Sequence, residues 1–448
     1  MTDLLNRRSY LCLTLVYPQS AFRASKSMLT SIRTASIRVG KPLARGQVGI
    51  FDQILGGARP KSTKVAYDDI DTDSFEIRNH SAMVDGSKTI VYEVPVRQEG
   101  VQLFIANDGP LQSKRPGNGG MRMLAYGDEQ LAINDAVRLA EGMTRKHDCY
   151  CTGFSGAKLV VHCSEGASPK TVDRPALMAD CADALESLGG SVWTGCDLNT
   201  TGDDMDILVS KTPYVLAGIG SSVDTNVATA KTTIGSILGV IDAHDLDIRQ
   251  QSFMVQGCGK VGKNVAEMLV ELGARQVKTC DVVSKLADIP GCEPLAEGEN
   301  WFDQHVDFLV PCANSLAIDE LVQDRMPAPK FIVGAANQPF ANQSVRDAFD
   351  RAGVLHVPES ISSGGAIMAD SVEWSNQKLF RTVDADMLYA WIVDLSRAKS
   401  KDLCERAKNK AVNISKVIDT VYSGPNATPV GSNFPEWLEA KRRENVGE

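Results

Sequence analysis

The chain has 448 residues, 43% of them hydrophobic and 23% charged, and a formal net charge of −9. A chain of this length can build two domains, each with its own core, and no apolar run approaches the roughly 18 residues that mark a membrane span. The acidic balance argues against a nucleic-acid surface, which relies on clustered Lys and Arg, but a small anionic ligand needs only one or two well-placed cations.

Residues 1–48 carry Arg7, Arg8, Arg23, Lys26, Arg33, Arg38, Lys41 and Arg45 against one acid, Asp3. Arg-rich, Ser-rich and acid-poor is the composition of an organelle transit peptide. From Met28, Leu29, Ile32 and Ile37 interleave with Arg33, Arg38 and Lys41 as in a short cationic amphipathic helix. Two other readings compete: a secretory signal, with Arg7-Arg8 ahead of the apolar Tyr10 to Tyr17, and a disordered tail. The expected location is a mitochondrion or other organelle, otherwise the cytoplasm.

Folded sequence begins near Gly49. Residues 90–95 and 101–106 are β-rich runs separated by a Glu-Gly turn, which predicts a hairpin. Residues 128–146 place Leu131, Ala132, Val137, Leu139 and Met143 at helical steps, so this segment is a helix with a buried face that ends at Lys146. Gly202-Asp203-Asp204 suits a helix start better than a metal pair. The eleven cysteines are odd in number and scattered. Cys149 and Cys151 have no second pair to complete a zinc site, so reduced thiols and no metal are expected. His147 reads as a packing or surface residue. From Ser252 the pattern becomes strand, glycine turn, helix, strand, and residues 377–435 are helical again.

The glycine turn carries the clearest chemistry. The apolar strand 253–256 runs into Gly257-Cys-Gly259-Lys260-Val261-Gly262, then a helix from Lys263 to Leu272 and a second strand, 276–280, ending at Asp281. Gly257 permits the tight turn, Gly259 lets the backbone approach a pyrophosphate, and Gly262 allows close helix–strand packing. The helix N-terminus offers free N–H groups to phosphates. An acid at 281, in the position that bonds adenosine ribose hydroxyls, favours NAD over its 2′-phosphorylated form.

Upstream, Lys146 closes the amphipathic helix and Lys158 precedes the apolar run Leu159-Val160-Val161. Charged side chains are seldom buried without a partner. Two ammonium groups sharing one desolvated cleft depress the pKa of one of them. That one then serves as a general base, while the other remains a cation for a carboxylate.

At these residues the sequence resembles the glutamate/leucine/phenylalanine/valine dehydrogenase superfamily, most of all its leucine and phenylalanine branch. The matching stretches are Gly119-Gly-Met-Arg-Met123, Gly142-Met-Thr-Arg-Lys146, Gly156-Ala-Lys158, Asp197 within Thr194-Gly-Cys-Asp, and Thr200-Thr-Gly-Asp-Asp-Met-Asp206. They continue through the glycine turn, Pro311-Cys-Ala313, Gly334-Ala-Ala-Asn337 and Gly364-Gly365. The resemblance implies an α/β fold of two domains, the second of Rossmann type. It also implies reversible NAD-dependent oxidative deamination of an L-amino acid to a 2-oxo acid and ammonia, by a homo-oligomer. Gly119 and Gly120 would line the substrate cleft, Lys146 would bind the α-carboxylate, Lys158 would be the catalytic base, and Asp197 would move protons to and from the amine. Thr229 resembles the threonine that contacts the nicotinamide amide, and Asn337 the asparagine near substrate and nicotinamide.

Departures bear on specificity. Asn118 stands at a side-chain-pocket position where glutamate dehydrogenases place a lysine and leucine dehydrogenases an apolar residue. Gln112 to Asn118 looks like an insertion at the cleft mouth. Asn337-Gln338 replaces Asn-Asn, and Ser362-Ser-Gly-Gly365 replaces Asn-Ala-Gly-Gly, with Ala366 as a small pocket wall. The expected organisation is a targeting or disordered extension (1–48), a substrate domain (49–225) and a Rossmann domain (226–375). C-terminal helices (376–448) are expected to pack back on the substrate domain. A leucine, valine or phenylalanine type of substrate is expected; glutamate chemistry and a non-catalytic NAD-binding paralogue are the alternatives.

Overall fold

The computed structural model describes residues 35–36, 78–80, 88–111, 114–164, 166–313, 315–410, 412–421 and 428–446. The N-terminal extension lies outside the described residues, and so does the amphipathic helix expected from Met28, except at Ala35–Ser36. Those two residues form a short strand, β1, paired with β2 (Arg78–His80).

The first sheet continues with the expected hairpin of β3 (Ile90–Val94) and β4 (Val101–Asp108), in which Ile90 pairs with Asn107. Next in the chain come β5 (Gly117–Asn118), β6 (Met121–Leu124), helix α1 (Glu129–Tyr150), β7 (Ser155–Cys163), α2 (Arg174–Ser187), β8 (Val192–Trp193) and α3 (Gly202–Val209). The strand order is β1-β2-β3-β4-β7-β5-β8, with β6 also paired to β7. Every residue of β7 is buried, because helices cover both faces. On one face Val160 packs with Phe104, Ala106 and the α1 residues Ala132, Ala136 and Ala140. On the other, Ala157, Leu159 and Val161 pack with Leu177 and Leu185 of α2 and Met205 of α3.

Helix α1 starts at Asp128, whose side chain accepts from the Leu131 N–H at 2.7 Å. It does not end at Lys146 as expected. It runs another turn to Tyr150 and stops where Cys151 turns left-handed, at φ 51°. Lys146 is therefore held on a formed helix. Gly156 brings α1 close to the sheet: a Cβ there would lie 2.0 Å from the Ala140 carbonyl oxygen.

The second domain opens with α4 (Thr225–Ala243) and alternates β9 (Ser252–Gln256), α5 (Lys260–Glu271), β10 (Gln276–Cys280), α6 (Ser284–Ala287), β11 (Glu293–Pro294), β12 (Phe308–Pro311), α7 (Glu320–Arg325), β13 (Phe331–Val333), α8 (Gln343–Arg351) and β14 (Leu355–Val357). Helices α9 (Glu359–Ser362) and α10 (Gly365–Ser375) follow. Its six strands are all parallel, in the order β11-β10-β9-β12-β13-β14. Phe253, Phe308 and Phe331 stack across three neighbouring strands, with ring centroids 4.8 and 4.6 Å apart. The chain leaves β9 toward one edge and returns to β12 on its other side. This reversal opens a crevice at the carboxyl ends of the two strands, where such sheets bind ligands.

Among the described residues, four helices follow: α11 (Gln377–Thr382), α12 (Ala385–Lys410), α13 (Ile414–Val421) and α14 (Phe434–Val446). The longest of them, α12, lies along α4. Gly235 and Gly239 of α4 permit this approach: Cβ atoms there would sit 2.7 Å from the Val393 carbonyl oxygen and 2.4 Å from that of Arg397. The first domain is met by Lys399 of α12, 5.4 Å from the Tyr150 ring centroid, and by the stretch before α14, where the Val430 N–H donates to the Cys151 carbonyl at 2.8 Å.

Candidate active site

Residues two apart on a strand, and register partners on neighbouring strands, project from the same face of a sheet. Lys158 thus shares the α1 face with Val160, and Arg122, the register partner of Val160 on β6, shares it too. Asp197, from the loop after β8, closes the group. Its Oδ2 lies 2.6 Å from Lys158 Nζ and 3.0 Å from Arg122 Nε. Gly120 allows the chain to pass this close, because a Cβ there would lie 2.9 Å from the Asp197 Cβ. Gly119 is tighter still, with 1.7 Å to the Ala157 carbonyl oxygen. Both glycines therefore shape the cleft through what they leave out.

A second tier orients the first. Arg122 also reaches Asp135 at 3.2 Å, and Asp135 accepts from the Tyr126 hydroxyl at 2.8 Å and pairs with Arg138. Burial pushes the Lys158 ammonium below its ordinary pKa, and Arg122 pushes the same way. Asp197 opposes the shift without cancelling it. Burial would raise the Asp197 carboxyl, but Lys158 and Arg122 outweigh it and hold that pKa well below the usual range. The site thus favours a carboxylate beside an amine that gives up its proton readily.

Lys146 faces the second domain and donates to Asn337 Oδ1 at 2.7 Å. Burial lowers its pKa to about 8, with Glu359 opposing and Lys158 assisting. One helical face of α1 carries Arg138, Gly142 and Lys146 at four-residue steps. A Cβ on Gly142 would meet nothing within 4 Å, so open space separates the two cations. Arg138 donates across the cleft to Gln338 Oε1 at 2.6 Å. Gln338 is left-handed at φ 46°, and its N–H reaches Glu359 Oε1 at 3.3 Å. Asn337 and Gln338 follow β13, at the carboxyl end of the parallel sheet, so the lysines face the crevice side of the second domain.

The glycine turn sits at the strand-order reversal. Gly257 has φ 92°, and a Cβ there would lie 2.5 Å from the Ala313 Cβ, just beyond β12. A Cβ on Gly262 would come within 1.9 Å of the Gly257 carbonyl oxygen, whereas one on Gly259 would meet nothing within 4 Å. That open space is a cradle for a ligand. Gly259 is the N-cap of α5 and provides no side-chain cap, which leaves the first-turn N–H groups of Lys260, Val261 and Gly262 for an anion. Asp281 accepts from the Cys258 N–H at 2.7 Å and the Val283 N–H at 2.9 Å, fixing the turn while keeping lone pairs free. The charge of Lys260 acts on Cys196, the neighbour of Asp197. These residues fit a dinucleotide. Thr229 lies on α4, its hydroxyl donating to the Thr225 carbonyl at 2.8 Å, and its neighbour Ala228 presses its carbonyl on Gly365 at the start of α10.

Other expected residues take structural duties. His147 is fully buried, with Nδ1 2.6 Å from the Thr152 hydroxyl and Nε2 3.2 Å from the Asn118 carbonyl. Burial drops its pKa to about 3, so it is neutral. The Ser362 hydroxyl donates to the Gly334 carbonyl at 2.6 Å, so it is a packing contact and does not point at a ligand. Gln112 and Ser113 of the expected insertion lie outside the described residues; Gly117 and Asn118 are part of the sheet. Among the described residues no cluster of His, Cys, Asp or Glu is arranged to hold a metal, and no helix is long and apolar enough to cross a membrane. Arg122, Asp135, Tyr126, Arg138, Glu359 and Asp370 carry roles that the sequence did not assign to them. For Asp135 and Arg138, their spacing with Lys146 on one face of α1 was the available signal.

Together, fold and site define a two-domain α/β oxidoreductase with a lysine-lined cleft facing a nucleotide-type turn. Residues 278–423 match the family model described as glutamate/leucine/phenylalanine/valine dehydrogenase. Phenylalanine dehydrogenase from Bacillus thermotolerans is 30% identical over 268 residues, 56% of this chain and 68% of that protein. Leucine dehydrogenase from Bacillus subtilis (strain 168) is 28% identical, with 56% of this chain and 70% of that protein covered. The fold matches that of L-tryptophan dehydrogenase from Nostoc punctiforme, with a TM-score of 0.57 at 21% identity over 77% of this chain and 95% of that one. It also matches the hetero-hexameric glutamate dehydrogenase from Thermus thermophilus, with a TM-score of 0.60 at 20% identity over 80% of this chain and 89% of that one. The chain belongs to the glutamate/leucine/phenylalanine/valine dehydrogenase family. It is an amino-acid dehydrogenase.

Proposed function

We propose that the protein oxidatively deaminates an L-amino acid to its 2-oxo acid and ammonia with NAD as oxidant, and that it works as a homo-oligomer. The observation that carries the reading is Lys158 and Arg122 converging on one oxygen of Asp197. NAD is favoured over its 2′-phosphate form by the Asp281 carboxylate beside the turn, which repels a phosphate. The bound dinucleotide supplies the hydride acceptor. Lys146 exchanges Asn337 for the substrate α-carboxylate and so aims the Cα–H bond, a positioning effect. With the substrate amine neutral, loss of hydride from Cα leaves a substrate iminium. Neutral Lys158 takes a proton from water as its oxygen adds to that carbon. Asp197 relays that proton from Lys158 to the nitrogen, Lys158 takes up the hydroxyl proton as the C–N bond breaks, and ammonia leaves a 2-oxo acid. The arginine-rich N-terminal segment directs the protein to an organelle such as the mitochondrion.

A panel of L-amino acids, assayed at alkaline pH for reduction of NAD and of its 2′-phosphate form, tests this reading. Turnover of an amino acid with NAD preferred supports it. Silence across the panel with NAD binding intact identifies a non-catalytic paralogue, and turnover of glutamate alone identifies glutamate chemistry.

A further inference from the structure

The steps above make no use of Asn118 and Asp370. Asn118 is the register partner of Gly156, and Lys158 follows Gly156 by two residues on β7. Asn118 therefore projects from the same sheet face as Lys158, about 7 Å away along the strand direction. Its carbonyl contacts His147, the neighbour of Lys146 on α1. The amide thus stands among the elements that present both lysines.

Asp370 approaches from the second domain, on α10, one helical turn beyond Ala366. Its Oδ2 accepts from Asn118 Nδ2 at 2.9 Å. Among the described residues no cation lies at ion-pair distance from this carboxyl, and the neighbouring charge is another acid, Glu373. Burial raises its pKa to about 8. An acid so enclosed, with one hydrogen bond and no cation, is costly if its only purpose is to hold the fold. Yet Asp370 retains partial solvent access, as the lining of a crevice does. Above a pH of about 8 the second carboxyl oxygen, together with Asn118 Oδ1, provides acceptor capacity beyond the bond between them.

We propose that Asp370, bonded to Asn118 of the expected side-chain pocket, makes that pocket select L-amino acids whose side chain carries an N–H or O–H donor. This rests on the dehydrogenase reading and narrows its substrate. An apolar side chain in the same place displaces water from two acceptors and returns no hydrogen bond. A donor-bearing one satisfies them, and sites built to hydrogen-bond a substrate reject analogues that lack the donor. The cost of burying Asp370 in the free protein is then recovered when substrate binds.

Shape-matched pairs test the proposal: tryptophan against 1-methyltryptophan, tyrosine against 4-methylphenylalanine, and 6-hydroxynorleucine against norleucine. In the native protein, kcat/KM should favour the donor-bearing member of at least one pair by about tenfold or more. Asp370→Leu and Asn118→Leu, whichever retains a cooperative unfolding transition, should bring that ratio near one. A pair that serves only to tie the domains would alter stability and leave the ratio unchanged, which overturns the proposal. Ratios near one for all three pairs in the native protein overturn it as well, while turnover of those same substrates leaves the dehydrogenase reading standing. Absence of turnover with every amino acid overturns both.

Discussion

Replacing Arg122 with Met removes the second cation from Asp197 and tests the electrostatics of the site. Arg122 Nε and Lys158 Nζ contact the same carboxylate oxygen, at 3.0 and 2.6 Å, so the two cations lie within about 6 Å. At an effective dielectric of about 20, two like charges at that separation repel by about 3 kcal/mol, roughly two pH units of proton affinity. Screening by the shared carboxylate reduces this, so a shift of about one unit is expected. Arg122 lowers the pKa of Lys158, and its loss raises it. The base must be neutral to act, so the acidic limb of the kcat/KM profile should move to higher pH. Asp135 keeps Arg138 and Tyr126, and Asp197 keeps Lys158, so no carboxylate is stranded. Initial rates of dinucleotide reduction across neutral to alkaline pH provide the assay. An unmoved limb, or one displaced toward acid, refutes the reasoning.

Further expectations concern the other parts of the site. Lys146→Met should raise KM for the amino acid about 10- to 100-fold, the worth of a charge-assisted hydrogen bond, with dinucleotide affinity unchanged by titration. Lys146 must be charged to hold a carboxylate and has a pKa of about 8, so native kcat/KM should fall as pH passes above that value; a profile rising without a break contradicts the role. Gly259→Ala should leave stability nearly unchanged and weaken dinucleotide binding, because its Cβ enters only ligand space. Gly262→Ala should lower the denaturation midpoint by the equivalent of about 1–3 kcal/mol, because its Cβ meets the Gly257 carbonyl. Equal effects on both properties would remove the cradle. Buried His147 and His356 have folded pKa values of about 3, so the unfolded chain binds more protons below about 6.5. Each should cost about 1.4 kcal/mol of stability per pH unit as pH falls below that value. Denaturant titrations of His147→Gln should show a shallower decline.

Much of the fold was legible because its signals are local. Gly257, Gly259 and Gly262 between two short strands mark the nucleotide turn, and Asp128 with the apolar steps behind it marks α1. The lysines stood out because Lys158 enters a strand with no polar partner nearby in sequence. What holds them was not legible, since each tie joins distant segments. Arg122 meets Asp197 across 75 residues, Lys146 meets Asn337 across 191, and Asn118 meets Asp370 across 252. No periodicity encodes such contacts; packing of α1 on the sheet and closure of the cleft create them. The misjudged end of α1 has a similar cause. Lys146 looked terminal because polar residues follow it, whereas burial of His147, Cys149 and Tyr150 extends the helix another turn. The docking of α12 on α4 has a local signal in the Gly235-x-x-x-Gly239 spacing, which leaves room for the second backbone.

The central claim is that Lys158 is the base of the reaction. Lys158→Met, assayed for steady-state turnover and, separately, for dinucleotide affinity, tests it most directly. A loss of about 10²- to 10⁴-fold in kcat, with affinity for the dinucleotide retained, is the expected result. Turnover close to that of the native protein would contradict the account.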